Sequence, residues 1–236
     1  MSNGKLIYDS NSVSSLHNLS LTKDSSAWIT VEHLPNELCE YALNNFDSMF
    51  NLHPENKGRV LVFNKSIKNP DWNEIECFRW SKSYLNTPKF DKTVMKSYMF
   101  SGVDDENIND ELPELFKPFY DFMKTKDDRN NQVIANWYEN NEDYIPFHSD
   151  CEADMVDNHT ISLINLNSDD KKESCRTFRL ITRDKNASVY DEVDIVLRHG
   201  LIITMGGDTQ EKFTHGVPKC KDDLVSPRIS LSFRQF

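Results

Sequence analysis

The segment YIPFHSD sets an imidazole and a carboxylate two residues apart, at His148 and Asp150. On an extended strand side chains alternate, so the two face the same way and can grip one metal ion. A distant third ligand would complete a two-His, one-carboxylate face, a donor set that suits Fe(II) and leaves positions open. The triplet alone is weak. Seven His and 38 acids in 236 residues produce an H-x-[DE] triplet about once by chance, and two are present. The other, His53-Pro54-Glu55, follows a helical stretch in a Pro/Asn-rich turn and reads as a decoy. By residue type, His159, His199 and His215 all remain open as the third ligand.

The final segment, RISLSFR, alternates strictly. Arg228, Ser230, Ser232 and Arg234 share one face, and Ile229, Leu231 and Phe233 share the other. Two buried arginines demand anionic partners, and a dicarboxylate would supply two. The same parity in ANWY pairs Asn136 with Tyr138 and turns Trp137 away. Polar faces converging inside a small barrel would form a pocket.

These residues sit in a stretch whose texture is that of strands. From residue 132 onward, QVIANWY, TISLINL, RTFRLIT, LIITM and RISLSFR alternate with polar turn clusters, the pattern of a sandwich or barrel. Upstream, LPNELCEYALNNFDSMF carries Leu38, Tyr41, Ala42, Phe46 and Met49 at helical spacing, with Pro35 suited to a first turn. LPELFKPFYDFMKTK carries Leu112, Leu115, Phe116, Phe119 and Met123 on one face, and Pro118 within it should bend or break the helix. Both stripes read as packing against a sheet. Residues 1–26, rich in Ser and Asn, read as a flexible N-terminal arm. The remainder, 27–236, reads as one domain, with an α/β extension over 27–131 and a β core over 132–236.

Composition bounds the partners. The 27 Lys+Arg against 38 Asp+Glu give a net charge of −11, which argues against binding nucleic acid through bulk electrostatics. The charge is uneven: residues 59–100 hold eight basic and four acidic residues, and 139–157 hold seven acids with no Lys or Arg. The basic segment is the part suited to phosphates. Five cysteines without a CxxC pair read as reduced thiols. With no apolar leader and no run near the ~20 residues of a membrane span, a soluble intracellular protein is expected.

In its C-terminal half the chain resembles the AlkB family of Fe(II)/2-oxoglutarate-dependent dioxygenases. Asn-x-Tyr, His-x-Asp, a distal His and a closing Arg-x-x-x-x-x-Arg occur in order, in NWYENNEDYIPFHSD, LRHGLIITMGGDTQEKFTHGVPK and PRISLSFR. YMFSG resembles the family's Tyr-x-Tyr/Phe-Ser-Gly segment, so the resemblance covers roughly residues 28–236. It implies a mainly β fold with a double-stranded β-helix (jelly-roll) core. It implies Fe(II) held by His148, Asp150 and His215, with His199 in LRHG matching a structural position. It implies 2-oxoglutarate held by Asn136, Tyr138, Arg228, Ser232 and Arg234, with Ser230 on the same face. Arg228 would meet the distal carboxylate, and Arg234 would lie nearer the metal-bound end.

The family's chemistry uses O2 as co-substrate, yields succinate and CO2, and hydroxylates an N-methyl group of a nucleobase, which then releases formaldehyde. By the same resemblance, Tyr98 and Phe100 correspond to base-stacking positions and Glu152 to an acidic position at the base edge. The basic segment would be a phosphate-facing lid, although TPKF places Lys89 where many relatives carry Pro-Arg, and a lysine lacks the bidentate fork. The expected activity is demethylation of N-alkylated bases (1-methyladenine, 3-methylcytosine type) in DNA or RNA by a monomer, with no membrane partner. The alternatives are an AlkB-like oxygenase of a protein, lipid or small molecule, and a binding module without turnover.

Overall fold

The computed structural model describes residues 3–9, 17–57, 59–64, 71–85, 110–152, 155–170, 176–221 and 225–236. Its elements, in chain order, begin with β1 (Lys5–Tyr8), β2 (His17–Ser20), β3 (Ala27–His33), α1 (Asn36–Asn44) and α2 (Phe46–Phe50). There follow β4 (Arg59–Asn64), β5 (Asp71–Glu76), β6 (Trp80–Leu85), β7 (Asp110–Glu111), a 3-10 turn (Glu114–Phe116) and α3 (Lys117–Lys126). The C-terminal half comprises β8 (Gln132–Tyr138), β9 (Ile145–His148), β10 (Thr160–Asn167), β11 (Thr177–Thr182) and β12 (Glu192–Val196). It ends with β13 (Leu201–Gly207), α4 (Thr209–Lys212), β14 (Phe213–Val217) and β15 (Arg228–Arg234).

Two sheets carry the fold. The larger runs β2-β3-β13-β10-β15-β8-β6-β7, the smaller runs β1-β12-β11-β14-β9, and β4–β5 form a separate hairpin. Their inner faces enclose one apolar cluster, including Ile29, Val31, Leu180, Ile195, Ile203 and Phe213. The helices cover the outer face of the larger sheet in a second cluster, where Ala42, Phe46, Met49, Phe119 and Met123 meet Trp137, Ile229, Leu231 and Phe233. The period-2 pattern of β15 therefore divides as expected, apolar residues toward the helices and the Arg/Ser face toward the other sheet. Trp137 faces the helices as well, and its Nε1–H donates to the Met49 carbonyl at 3.0 Å.

Three local expectations are refined or overturned. The stretch around Pro118 divides as expected, into the 3-10 turn ending at Phe116 and α3 starting at Lys117, but without a kink inside α3, since the ring lies in its first turn where no intrahelical N–H is lost. The first apolar stripe divides at Asn45 into α1 and α2. The described part of residues 1–26 is no loose arm: β1 pairs in parallel with β12, β2 pairs with β3, and Leu21 and Thr22 are buried. β1 gains its order from β12, remote in sequence, which composition does not report.

The 131/132 boundary is crossed by the main sheet, since β3 pairs with β13 and β6 with β8. Cys39, Cys77 and Cys151 are free thiols. Cys220 is disulfide-bonded, so the reading of reduced thiols throughout fails there; no CxxC spacing marks the bond. Among the described residues, no helix is long and apolar enough to cross a membrane.

Candidate active site

β9 and β14 pair so that His148 stands opposite His215, with ring centroids 4.4 Å apart. The register shifts just after, between His215 and Val217. Gly216 makes the shift possible, because a Cβ there would lie 2.9 Å from the Ile145 carbonyl oxygen. The glycine of THGV is thus explained by backbone approach at a bulge.

Asp150 follows β9 by two residues and is buried, and its N–H donates to Gln210 Oε1 at 3.0 Å. Its Oδ1 lies 3.8 Å from His148 Nε2, and its Oδ2 lies 3.9 Å from His215 Nε2. Ligand atoms of His148, Asp150 and His215 all fall within 4.8 Å of one another. The Nδ1 of His148 faces the Pro146 carbonyl at 2.8 Å. A carbonyl only accepts, so Nδ1 carries the proton and the Nε2 lone pair is left for a metal. Two imidazoles and one carboxylate form a donor set suited to Fe(II).

The electrostatics keep these donors in metal-binding form. Burial pushes the His148 imidazole below its ordinary pKa, and burial followed by the His148 charge takes His215 down to about 3. Burial alone would raise Asp150. The charges of Arg234, His215 and His148 outweigh it and hold the carboxyl well below the usual carboxylate range. All three ligands are therefore unprotonated at neutral pH.

A cavity open to solvent lies between the sheets beside the triad. Asn136, Tyr138, Arg228, Ser230, Ser232 and Arg234 all line it. The larger sheet brings them together in rows, with Arg228 opposite Tyr138 and Ser230 opposite Asn136. The Arg228 guanidinium lies 3.8 Å over the Tyr138 ring, and Nη1 donates to Asn165 Oδ1 at 2.9 Å. Its Nε and Nη2 are buried and meet no acceptor among the described residues. A buried cation with two idle donors is costly unless an anion completes it, so the cavity fits a carboxylate-bearing cofactor at this end. At the other end Arg234 Nη2 donates to Asp150 Oδ1 at 2.9 Å. Ile161, Leu163, Phe178 and Met205 supply apolar walls.

The remaining histidines fall elsewhere. His53 stacks on Trp80 with centroids 4.3 Å apart. His199 Nε2 faces the Cys39 carbonyl at 3.1 Å. His159 binds Glu152 Oε1 through Nε2 at 2.7 Å and the Val156 carbonyl through Nδ1 at 2.9 Å. Tyr98, Phe100 and Lys89 lie outside the described residues. Sequence reasoning missed Arg79, which is buried and lines the same cavity. Its signal was parity, for it shares the in-facing alternation of Ser81 and Ser83 in FRWSKSYL.

Two sheets thus enclose a His/Asp/His triad that opens onto an arginine-lined cavity, the donors that Fe(II) and a dicarboxylate would need. The profile of the 2OG-Fe(II) oxygenase superfamily matches residues 56–234, and the chain belongs to that superfamily. Its cofactors are Fe(II) and 2-oxoglutarate.

Within the superfamily the chain is similar to proteins named for AlkB. It is 29% identical over 109 residues to the human "Alpha-ketoglutarate-dependent dioxygenase alkB homolog 3", covering 44% of this chain and 36% of that protein. The mouse protein of the same name is 28% identical over 109 residues, with the same coverage. The "DNA oxidative demethylase ALKBH2" of Arabidopsis thaliana is 28% identical over 136 residues, 52% of this chain and 42% of that protein. The matches thus span less than half the length of these relatives.

Proposed function

We propose that the chain demethylates N-alkylated nucleobases of the 1-methyladenine and 3-methylcytosine type in DNA or RNA, reversing alkylation damage. The observation that carries the oxygenase chemistry is the His148–Asp150–His215 convergence beside a cavity with idle Arg228 donors. The likeness to proteins named as DNA oxidative demethylase and AlkB homologue supports the choice of substrate.

In this reading His148, Asp150 and His215 hold Fe(II). Arg228 and Arg234, with Asn136, Tyr138, Ser230 and Ser232, hold the dicarboxylate. When bound, the metal and 2-oxoglutarate supply an O2-dependent oxidative decarboxylation, and an N-alkyl carbon is hydroxylated. The protein's part is orientation and exclusion: the Pro146 carbonyl fixes the His148 tautomer, Arg234 keeps Asp150 ionised, and the apolar walls keep water from the reacting carbon.

On the substrate side, Glu152 meets the base edge and Tyr98 and Phe100 stack on the base. Residues 27–131 contribute the extension and substrate lid. The protein acts as a monomer on nucleic acid gripped locally rather than by net charge.

The test is incubation with Fe(II), 2-oxoglutarate and alkylated oligonucleotides, reading succinate and the demethylated base together. Both products are expected, and His148→Ala should abolish them. Succinate without base repair would overturn the nucleobase reading. The overall charge of −11 would then favour a protein, lipid or small-molecule substrate.

A further inference from the structure

Arg79 carries a charge into the cavity that the metal and the closing arginines do not account for. It is 3% exposed and lines the same cavity as the triad, Arg228 and Arg234. It belongs to the N-terminal extension, one residue before β6. The Trp80–Trp137 pair of β6 and β8, continued by one residue, brings Arg79 level with Tyr138, and Arg228 stands on the other side of that tyrosine. Arg79 and Arg228 thus reach the same tyrosine row from opposite sides of β8, with the Arg228 guanidinium 3.8 Å over the Tyr138 ring.

The next row is Ser81, Asn136 and Ser230. Here Arg79 Nε–H donates to Asn136 Oδ1 at 2.8 Å in a buried bond. A guanidinium has donors only, so the amide must turn its oxygen to Arg79. Its NH2 group is then directed elsewhere as a donor. An asparagine free of this contact could present either end to a ligand, and an oxygen facing a carboxylate would repel it.

Charge points the same way. Arg79 acts on Arg228 as a like charge, adding to the burial that already lowers the Arg228 pKa. Three buried arginines and a divalent metal would converge with Asp150, the one carboxylate on the cavity wall among the described residues. Such a site favours a dianion over a monoanion of the same shape.

We propose that Arg79 is a positioning residue of the cofactor pocket: it fixes the polarity of the Asn136 amide as a donor toward 2-oxoglutarate. Its charge also tunes the pocket for a dicarboxylate. The inference rests on reading the cavity as the 2-oxoglutarate pocket, and it is independent of which substrate is oxidised. It also ties the extension to the cofactor, since a residue preceding β6 sets the donor pattern on β8.

The test is calorimetric titration of 2-oxoglutarate into the full chain loaded with Mn(II), a condition without turnover. Wild type is compared with Arg79→Met, Arg79→Lys, Asn136→Ala and the Arg79→Met/Asn136→Ala double variant. A charge-assisted contact of this kind predicts a Kd raised roughly tenfold or more in Arg79→Met. Arg79→Lys, which keeps charge but lacks the planar Nε donor, should recover part of the loss. The double variant should be much weaker in effect than the two single losses multiplied, because Arg79 acts through Asn136.

If Arg79→Met fails to fold, the Arg79→Lys and Asn136→Ala titrations carry the test. An unchanged Kd in Arg79→Met, or in Arg79→Lys where it stands in, would overturn the inference and leave the pocket reading intact. Fully multiplicative losses would overturn the route through Asn136. Wild type that takes up no 2-oxoglutarate would overturn the pocket reading and this inference together.

Discussion

Arg234 donates to Asp150 across 2.9 Å, joining the last strand to the metal carboxylate. The metal and cofactor halves of the site are therefore one electrostatic unit. Arg234 is the leading charge that keeps Asp150 ionised against its burial. In Arg234→Gln the Asp150 pKa rises, and protons compete with the metal from a higher pH. Metal affinity should fall about 10–100-fold at neutral pH and more steeply on acidification. Mn(II) titrations at several pH values check this, and affinity unchanged from wild type would count against the coupling.

Acid should destabilise the metal-free protein. The His215 pKa falls from an ordinary 6.5 to about 3 in the fold. Below pH 6.5 the unfolded chain takes up a proton that the folded protein refuses, so stability declines as pH drops toward 3. One such proton is worth up to about 1.4 kcal/mol per pH unit. Asp150 acts in the same direction: its stabilisation is present above the usual carboxylate pKa and lost below it. Urea midpoints between pH 7 and 4 measure the slope, which His215→Gln should flatten.

Gly216→Ala should damage the triad more than the fold. The added Cβ would meet the Ile145 carbonyl oxygen at 2.9 Å, within the bulge that sets His215 opposite His148. A strain cost of about 1–3 kcal/mol is expected, with metal affinity lost at least about tenfold as the ligands separate. A variant that melts early yet binds Mn(II) like wild type would refute the positioning role.

The two faces of β15 should separate stability from binding. Leu231→Ala opens a hole in the helix-side core and should cost about 2–5 kcal/mol. Ser232→Ala, on the cavity side, should cost less than about 1 kcal/mol while weakening 2-oxoglutarate. Denaturation and calorimetry on the same pair decide it. Equal losses in both measurements would contradict the division of faces.

Period-2 alternation made the C-terminal strands legible. QVIANWY coincides with β8 and RISLSFR with β15, and both present the predicted faces. The triad was legible for the same reason, since parity placed His148 beside Asp150. Parity did not reach the third ligand, since by type three histidines competed, and it was the resemblance that named His215. What separates them is partnership: His159 is taken by Glu152, His199 lies against the Cys39 carbonyl, and His215 alone is paired across strands with His148. The N-terminal strands stayed hidden because their order comes from distant pairing, β1 on β12 and β6 on β8. Arg79 was obscured in the same way, counted as part of a basic surface segment until the sheet turned it inward.

Pro146 has a consequence beyond the imidazole it orients. Among the described strands, β9 ends the smaller sheet, with the Tyr144 N–H just ahead of it donating to the Phe78 carbonyl. An open rim invites another chain to add itself there. Proline offers no N–H for such a partner, and β9 is only four residues long. The residue whose carbonyl orients the first metal ligand thus also removes one backbone donor from a short terminal strand.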